Sequence, residues 1–431
     1  MQKRIGLYWF TNDLRLTDNP LLHKASKEVD QLICLYSRPQ LTCFLQKYSC
    51  QERWGAARAL FLNQSLRNLS ESLDDVGQQL IVVDEPIIVT LSDLVTKHQV
   101  SDLYCNQFAG FDEQSVIEQL GRNFSDLTIH QNSSNHLYSE EQLPFLLNGL
   151  PNTFTKFRKS VEGISLRELV EVPRLPPPIK SVGRGVQIPA EKQMQSVEFL
   201  GGEVFGMDHC LRYFSTKRAS EYKLTRNGLD GPSYSTKFSP WLAHGCISPR
   251  QVLEVLRDYE QKNVANESTY WIFFELLWRE FFYWYARKWG KNLFLYSGIK
   301  TCSKPAAKGT SVSTAFSNWI EGKTDFPIVN ACMNQLRKTG FMSNRGRQLV
   351  ASCLIHELGI DWRCGAAYFE TQLIDYDVGS NWGNWQYLAG VGADTQPARQ
   401  FNLGKQTEIY DPKREFIMQW AGVGSEKESL Q

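Results

Sequence analysis

Five short apolar runs in the first third of this 431-residue chain set the strongest limit on what it can fold into. They are Ile5 to Phe10, Leu32 to Tyr36, Leu80 to Val83, Leu103 to Asn106 and Leu127 to His130. Each is continuous rather than alternating, so a strand built from it must be buried on both faces. Helical patterns separate most of them, most clearly Glu52 to Leu73, with Trp54, Ala57, Leu60 and Phe61 on one side. Strands alternating with helices read as a Rossmann-like α/β domain, a parallel sheet covered on both faces. Such a sheet can seat a dinucleotide, but the first run leads into Thr11-Asn12-Asp13-Leu14-Arg15 with no G-x-G-x-x-G, which demotes a nicotinamide site.

From Gln131 the pattern loosens. Pro173, then Pro176-Pro177-Pro178, then Gly183 and Gly185, cannot sustain a helix or a central strand. From Gly201 onward nearly every segment is helical, with breaks at Gly228 to Pro232, Gly298 to Gly309 and Gly390 to Pro397. The expected organisation is an α/β domain over 1–130, a linker over 131–200 and an all-α domain over 201–431.

Hydrophobic content of 42% and charged content of 22% are those of a soluble globular protein. No apolar run reaches the ~18 residues of a membrane span. The N-terminal residues lack the apolar core of a signal peptide, and ten cysteines without a C-x-x-C pair argue against zinc or a disulfide framework. A reducing cytoplasm is the expected compartment. Residues 1–130 carry 12 Lys and Arg against 16 Asp and Glu, a balance of −4, whereas the remainder carries 35 against 30. A polyanion partner would therefore meet the C-terminal part.

Two decoys are set aside. Gly322-Lys323-Thr324 ends like a phosphate-binding loop, but Ser317 stands at the first glycine position and no strand precedes it. Asp375-Tyr376-Asp377 begins like a calcium loop, but Gly379 and Ser380 follow where the EF-hand pattern needs a ligand and then glycine.

Ile374 to Tyr387 reads as a loop in which two carboxylates precede two glycines and several aromatic rings, able to hold a polar ligand edge within an apolar wall. Thr269 to Gly290 is a helix apolar almost all round, yet Glu275, Trp278, Arg279 and Phe282 share one face. An i,i+4 pair between Glu275 and Arg279 is the plain reading; buried charges beside an indole are the functional one. Tyr234 to Trp241 clusters hydroxyls before a Pro-headed helix, suited either to capping or to a phosphate. Asn344, Arg345 and Arg347 head a helix over Leu349 to Leu358, where guanidiniums need an acid to answer them; Asp375 and Asp377 are the candidates.

Together these stretches resemble the photolyase/cryptochrome flavoproteins, most closely the cryptochrome-DASH branch. The resemblance rests on Leu7 to Pro20, Tyr222 to Arg250, Glu275 to Glu280 and Gly340 to Tyr387, with Gln348 and Tyr387 as branch marks. It implies FAD in the helical domain, with Tyr222, Ser235, Thr236, Lys237, Phe238 and Ser239 at the phosphates and ribose. Arg279, Arg347, Asp375, Asp377 and Asn381 would hold the flavin side, with Arg347 paired to Asp375 and Asn344 at flavin N5. Glu275 would bond the carbonyl of a pyrimidine dimer, Trp278 and Tyr387 would flank it, and Arg345 and Gln348 would face DNA. The implied activity is light-driven repair of cyclobutane pyrimidine dimers, preferentially in single-stranded DNA, by a monomer without metal. The alternative is a blue-light photoreceptor that binds FAD and nucleic acid without repair.

The chain departs from the family pattern at four places. Thr11 replaces the usual Arg, which predicts a looser domain contact. Asp325, Asn330 and Asn334 interrupt the run around Pro327. Ala109 falls where many relatives carry the Glu that holds methenyltetrahydrofolate, so this antenna is carried by the resemblance alone. The electron-relay tryptophans match at Trp385 and Trp362, but the outermost position is Gly309, with Trp319 or a tyrosine as possible replacement. Slow or rerouted flavin photoreduction is the consequence expected.

Overall fold

The computed structural model describes residues 3–183, 185–189, 199–231, 234–300, 311–393 and 399–421. Its strands are β1 (Ile5–Phe10), β2 (Gln31–Ser37), β3 (Leu80–Val83), β4 (Asp102–Asn106) and β5 (Thr128–Asn132). The helices among them are α1 (Pro20–Glu28), α2 (Cys43–Ser49), α3 (Ala56–Asp75), α4 (Ile87–His98) and α5 (Phe111–Asn123). After α6 (Phe154–Val161) come α7 (Glu203–Phe214), α8 (Arg218–Thr225), α9 (Ser239–His244), α10 (Pro249–Lys262) and α11 (Glu267–Trp289). The chain ends with α12 (Thr314–Glu321), α13 (Pro327–Thr339), α14 (Asn344–Ser352), α15 (Trp362–Gln372), α16 (Val378–Leu388), α17 (Leu403–Tyr410) and α18 (Glu415–Trp420).

The five strands form one parallel sheet in the order β3-β2-β1-β4-β5. Continuous apolarity has the expected result. Tyr8 and Phe10 of β1 join the core shared with the helical domain, while Leu7 and Trp9 join a second core beneath the other face. The expected strands are all present, and their ends shift by no more than two residues. The α3 helix starts at Ala56, so Trp54 lies before it.

Strand order reverses beside β1, the point where open α/β sheets usually bind ligands. Here that crevice holds the seam to the helical domain. Tyr8 donates to Asp13 (2.6 Å), and Asn106 donates to Asn12 (2.6 Å). The same loop meets α9 through the Leu14 amide, which donates to the His244 carbonyl (3.1 Å). Gly245 has φ +65°, and a β-carbon there would stand 2.0 Å from the Asn12 carbonyl oxygen, so glycine is required. Arg15 is wholly buried and donates to the carbonyls of Gly245 (2.9 Å), Asp18 (2.9 Å) and Ser134 (3.0 Å). Asp18 accepts from Ser248 (2.5 Å) and Arg250 (3.2 Å) and forms an ion pair with Arg167 (2.8 Å). The contact across the seam is thus made by Arg15 and Asp18.

The proline-rich segment is pinned rather than loose. The Leu32 amide donates to the Pro177 carbonyl (3.2 Å), and Gln78 donates to that of Pro176 (2.8 Å). Near the departure around Pro327, Asn330 closes a turn with Thr324 (2.7 Å) and Asn334 donates to the Trp420 carbonyl (3.0 Å), while its own buried amide oxygen has no protein partner. Among the described residues no helix is long and apolar enough to cross a membrane, and no cluster of potential metal ligands occurs.

Candidate functional site

The longest helix, α11, is capped by Asn266, whose side chain accepts from the Thr269 amide (3.0 Å), and it ends at Gly290 with φ +47°. Against it lies α16. Gly379 and Gly383, one turn apart, face Phe282; a β-carbon at Gly379 would meet the Phe282 carbonyl oxygen at 2.6 Å. Two missing side chains let the helices approach until Glu275, Trp278, Arg279 and Phe282 share a cavity of about 450 Å³ with Asn381, Trp385 and Tyr387.

The stretch read as a loop is thus mostly helix. Asp377 is its N-cap, accepting from the Ser380 amide (2.7 Å), and the glycines serve close packing rather than turns. Asp377→Ala should cost about 1 kcal/mol of stability, read as a lower denaturation midpoint of the flavin-free protein. An unchanged midpoint would show that the cap is dispensable.

Arg347 is clamped by Asp375, with its Nη2 2.7 and 2.9 Å from the two carboxylate oxygens, and its Nε donates to the Met342 carbonyl (2.9 Å). Asp377 answers neither arginine, because its carboxylate is taken by the helix end. Arg345 lies outside the cavity lining, stacked over Tyr410 at 4.6 Å. The helix they head starts at Asn344, with Ser343 as its cap, and passes into a π-turn over Cys353–Glu357.

Glu275 and Arg279 do not pair. Glu275 is bound by Arg226, while Arg279 donates to the carbonyls of Asn135 (2.8 Å) and Leu242 (3.0 Å). Burial depresses the guanidinium pKa of Arg279, opposed by the charges of Asp377 and Glu280. Burial also raises the Glu275 carboxyl above its ordinary range, against the charge and hydrogen bond of Arg226. Trp278 stacks on Phe154 at 3.7 Å and meets Tyr387 edge-on at 6.4 Å, so a flat apolar wall stands beside that carboxyl.

Opposite runs the 234–239 segment. Ser235 and Lys237 both hold positive φ, +61° and +54°, unusual for residues with a β-carbon. Such alternation turns backbone N–H groups toward one side and suits an anion. Tyr222, Thr236, Phe238, Ser239, Asn344 and Gln348 complete the predicted residues that line the cavity. Trp362 stands on α15, outside the lining. Sequence reading missed Arg226, Gln335, Phe341 and Arg399, which also line it. Gln335 keeps a buried side-chain oxygen without a protein partner, so the wall retains capacity for a polar ligand. Buried cations, a backbone anion cradle, paired acids and aromatic walls together fit a flavin dinucleotide.

Comparison with known proteins agrees. Residues 6–178 match the family described as DNA photolyase, and residues 271–426 match the FAD binding domain of DNA photolyase. The chain is 54% identical to the Cryptochrome DASH of Vibrio parahaemolyticus, covering 99% of this chain and 95% of that protein. Identity to the Cryptochrome DASH of Synechocystis sp. is 39%, over 96% and 86%. Among solved structures, a Synechocystis sp. cryptochrome superposes with a TM-score of 0.87 at 38% identity, over 97% of this chain and 89% of that one. A bacterial class III photolyase from Agrobacterium tumefaciens gives a TM-score of 0.81 at 26% identity, over 97% and 87%. The cofactor of the helical domain is FAD. With an N-terminal parallel sheet, a helical FAD-binding domain and full-length homologues of this kind, the chain belongs to the photolyase/cryptochrome family, with cryptochrome DASH proteins among its strong homologues.

Proposed function

We propose that this protein splits cyclobutane pyrimidine dimers in DNA, preferentially in single strands. When bound, reduced FAD supplies the light-driven electron that opens the dimer's cyclobutane ring. The protein's part is to hold, orient and keep dry. The 235–239 segment and Tyr222 would cradle phosphates and ribose, and Arg279, the Arg347–Asp375 pair, Asn344, Asp377 and Asn381 would frame the flavin. Glu275 would donate its proton in a hydrogen bond to a dimer carbonyl, while Trp278 and Tyr387 flank the lesion and Gln348 and Arg345 lie toward the strand.

The observation that carries this reading is the place of Glu275: a carboxyl on the cavity wall, beside the flat indole of Trp278, with burial raising its pKa against the charge and hydrogen bond of Arg226. Enzymes that work on a base, photolyases among them, extrude it from the stack, which costs less in an unpaired strand. The rim suits such a strand. Arg226 lies over Trp271 at 4.5 Å and Arg399 over Tyr387 at 4.7 Å, pairing cations of the lining with stacking surfaces. Ala109 is half-buried against the core and brings no carboxylate, so methenyltetrahydrofolate is not part of the proposal. The nine cysteines described are free thiols, which suits action in a reducing cytoplasm.

Illuminating the reduced protein with dimer-containing oligonucleotides should restore thymines, more in single-stranded than in double-stranded substrate. Dimers left intact in both would reject repair and leave the light-sensing alternative.

A further inference from the structure

Trp385 lines the FAD cavity and lies against Gly365 of α15, where a β-carbon would meet its ring at 2.2 Å. One turn earlier on α15 stands Trp362, whose ring centroid is 5.9 Å from that of Trp382. Trp382 is wholly buried between Phe44 and Phe294, and its indole N–H donates to Glu370 Oε2 (2.8 Å). Another indole, Trp319, stands 6.4 Å from Trp385. Trp319 donates its N–H to the Val350 carbonyl (3.0 Å), a group that cannot take the proton over. The two branches therefore differ in chemistry. An indole that has lost an electron becomes a strong N–H acid, and only Trp382 has a carboxylate in line to receive that proton. Position 309 carries glycine and offers no ring.

We propose that Trp382 and Glu370 form the terminus of the hole-transfer chain leading away from FAD, with Glu370 as proton acceptor. The chain rests on FAD being seated in the cavity. Light-excited oxidised flavin is the oxidant. One electron passes to it from Trp385, Trp362 refills Trp385, and Trp382 refills Trp362. The Nε1 proton of Trp382 then moves along the existing hydrogen bond to Glu370. One electron rests on the flavin, one proton on the carboxyl, and Trp382 is left as a neutral indolyl radical that no longer attracts the electron back as strongly.

The acceptor works near neutrality. Burial pushes the Glu370 carboxyl up to about 7, opposed by hydrogen bonds from Trp382 and Tyr376 and by the charge of Arg58 on α3; Glu113 on α5 adds to the rise. Above about 7 the carboxylate can accept, and below it the site is already protonated.

Flash photolysis of the FAD-loaded protein tests this. A long-lived neutral indolyl radical is expected at pH 8, weakened at pH 6, and lost in Trp382→Phe and in Glu370→Gln, while Trp319→Phe keeps it. In the flavin-free protein, the indole N–H resonance of Trp382 should titrate with a midpoint near 7 and stop titrating in Glu370→Gln. A neutral radical that persists in Trp382→Phe, or that disappears in Trp319→Phe alone, overturns the proposal. So does wild-type protein that holds FAD and yields no tryptophan radical. Protein that takes up no FAD would instead overturn the seating of the cofactor.

Discussion

Glu275→Ala is expected to slow dimer splitting about 10- to 100-fold while FAD stays bound, from the loss of one hydrogen bond to a dimer carbonyl that carries negative charge once the dimer has taken the electron, about 1.5–3 kcal/mol. The side chain reaches the cavity from α11, and burial raises its carboxyl pKa, against the charge and hydrogen bond of Arg226. A protonated carboxyl can donate to a carbonyl; a carboxylate cannot. Because the active form carries the proton, splitting should be fastest below the raised pKa and fall as pH rises through it. Glu275→Gln keeps a donor, so it should recover part of the rate and lose that alkaline decline. Single-turnover repair beside flavin absorbance separates the two functions. Equal loss of bound FAD and of repair would show Glu275 to be structural.

Asp18→Ala should cost the fold about 3–5 kcal/mol, the usual effect of removing one partner from a buried ion pair. Arg250, Arg15 and Arg167 converge on this carboxylate, and the first two are nearly or wholly buried. Burial alone would raise the Asp18 pKa; the charges of those three arginines and the Ser248 hydrogen bond outweigh it, and the carboxyl ends below its ordinary range. A depressed carboxyl pKa gives stability that is present above the unfolded value and lost as pH falls through the folded one. Urea denaturation should therefore show the wild type approaching the variant in strongly acidic buffer. A variant within about 1 kcal/mol of wild type at neutral pH would contradict the ion-pair account, since such small changes are ordinary for sites without a buried partner.

What could be read from residues alone follows how far each cause reaches along the chain. Strand positions were legible because runs such as Leu7-Tyr8-Trp9-Phe10 must be covered on both faces wherever they sit. The face of α11 was legible because helical spacing alone puts Glu275, Trp278 and Arg279 together. The partner of Glu275 was not. Arg226 lies 49 residues away, just past the end of α8, and spacing suggested Arg279 instead. Helix α16 was read as a loop because its glycines look like turn residues; their purpose depends on Phe282, on a different element. The hydroxyl cluster at Ser235 to Ser239 was visible, but its two left-handed residues were not, since neither is glycine. Arg345 was placed with Arg347 by proximity in sequence, although helical residues two apart do not face each other.

The seam at the sheet's crevice also bears on the order in which the protein is made. Asp18 leaves the ribosome 232 residues before Arg250. At about 5–20 residues per second, the acid waits on the order of 10–50 s for Arg250. During that interval the newly formed sheet carries an open cleft, and Asp18 has only Arg15 and Arg167 to answer its charge. Closing it, rather than pairing the strands, should set the pace at which the nascent chain becomes resistant to proteases.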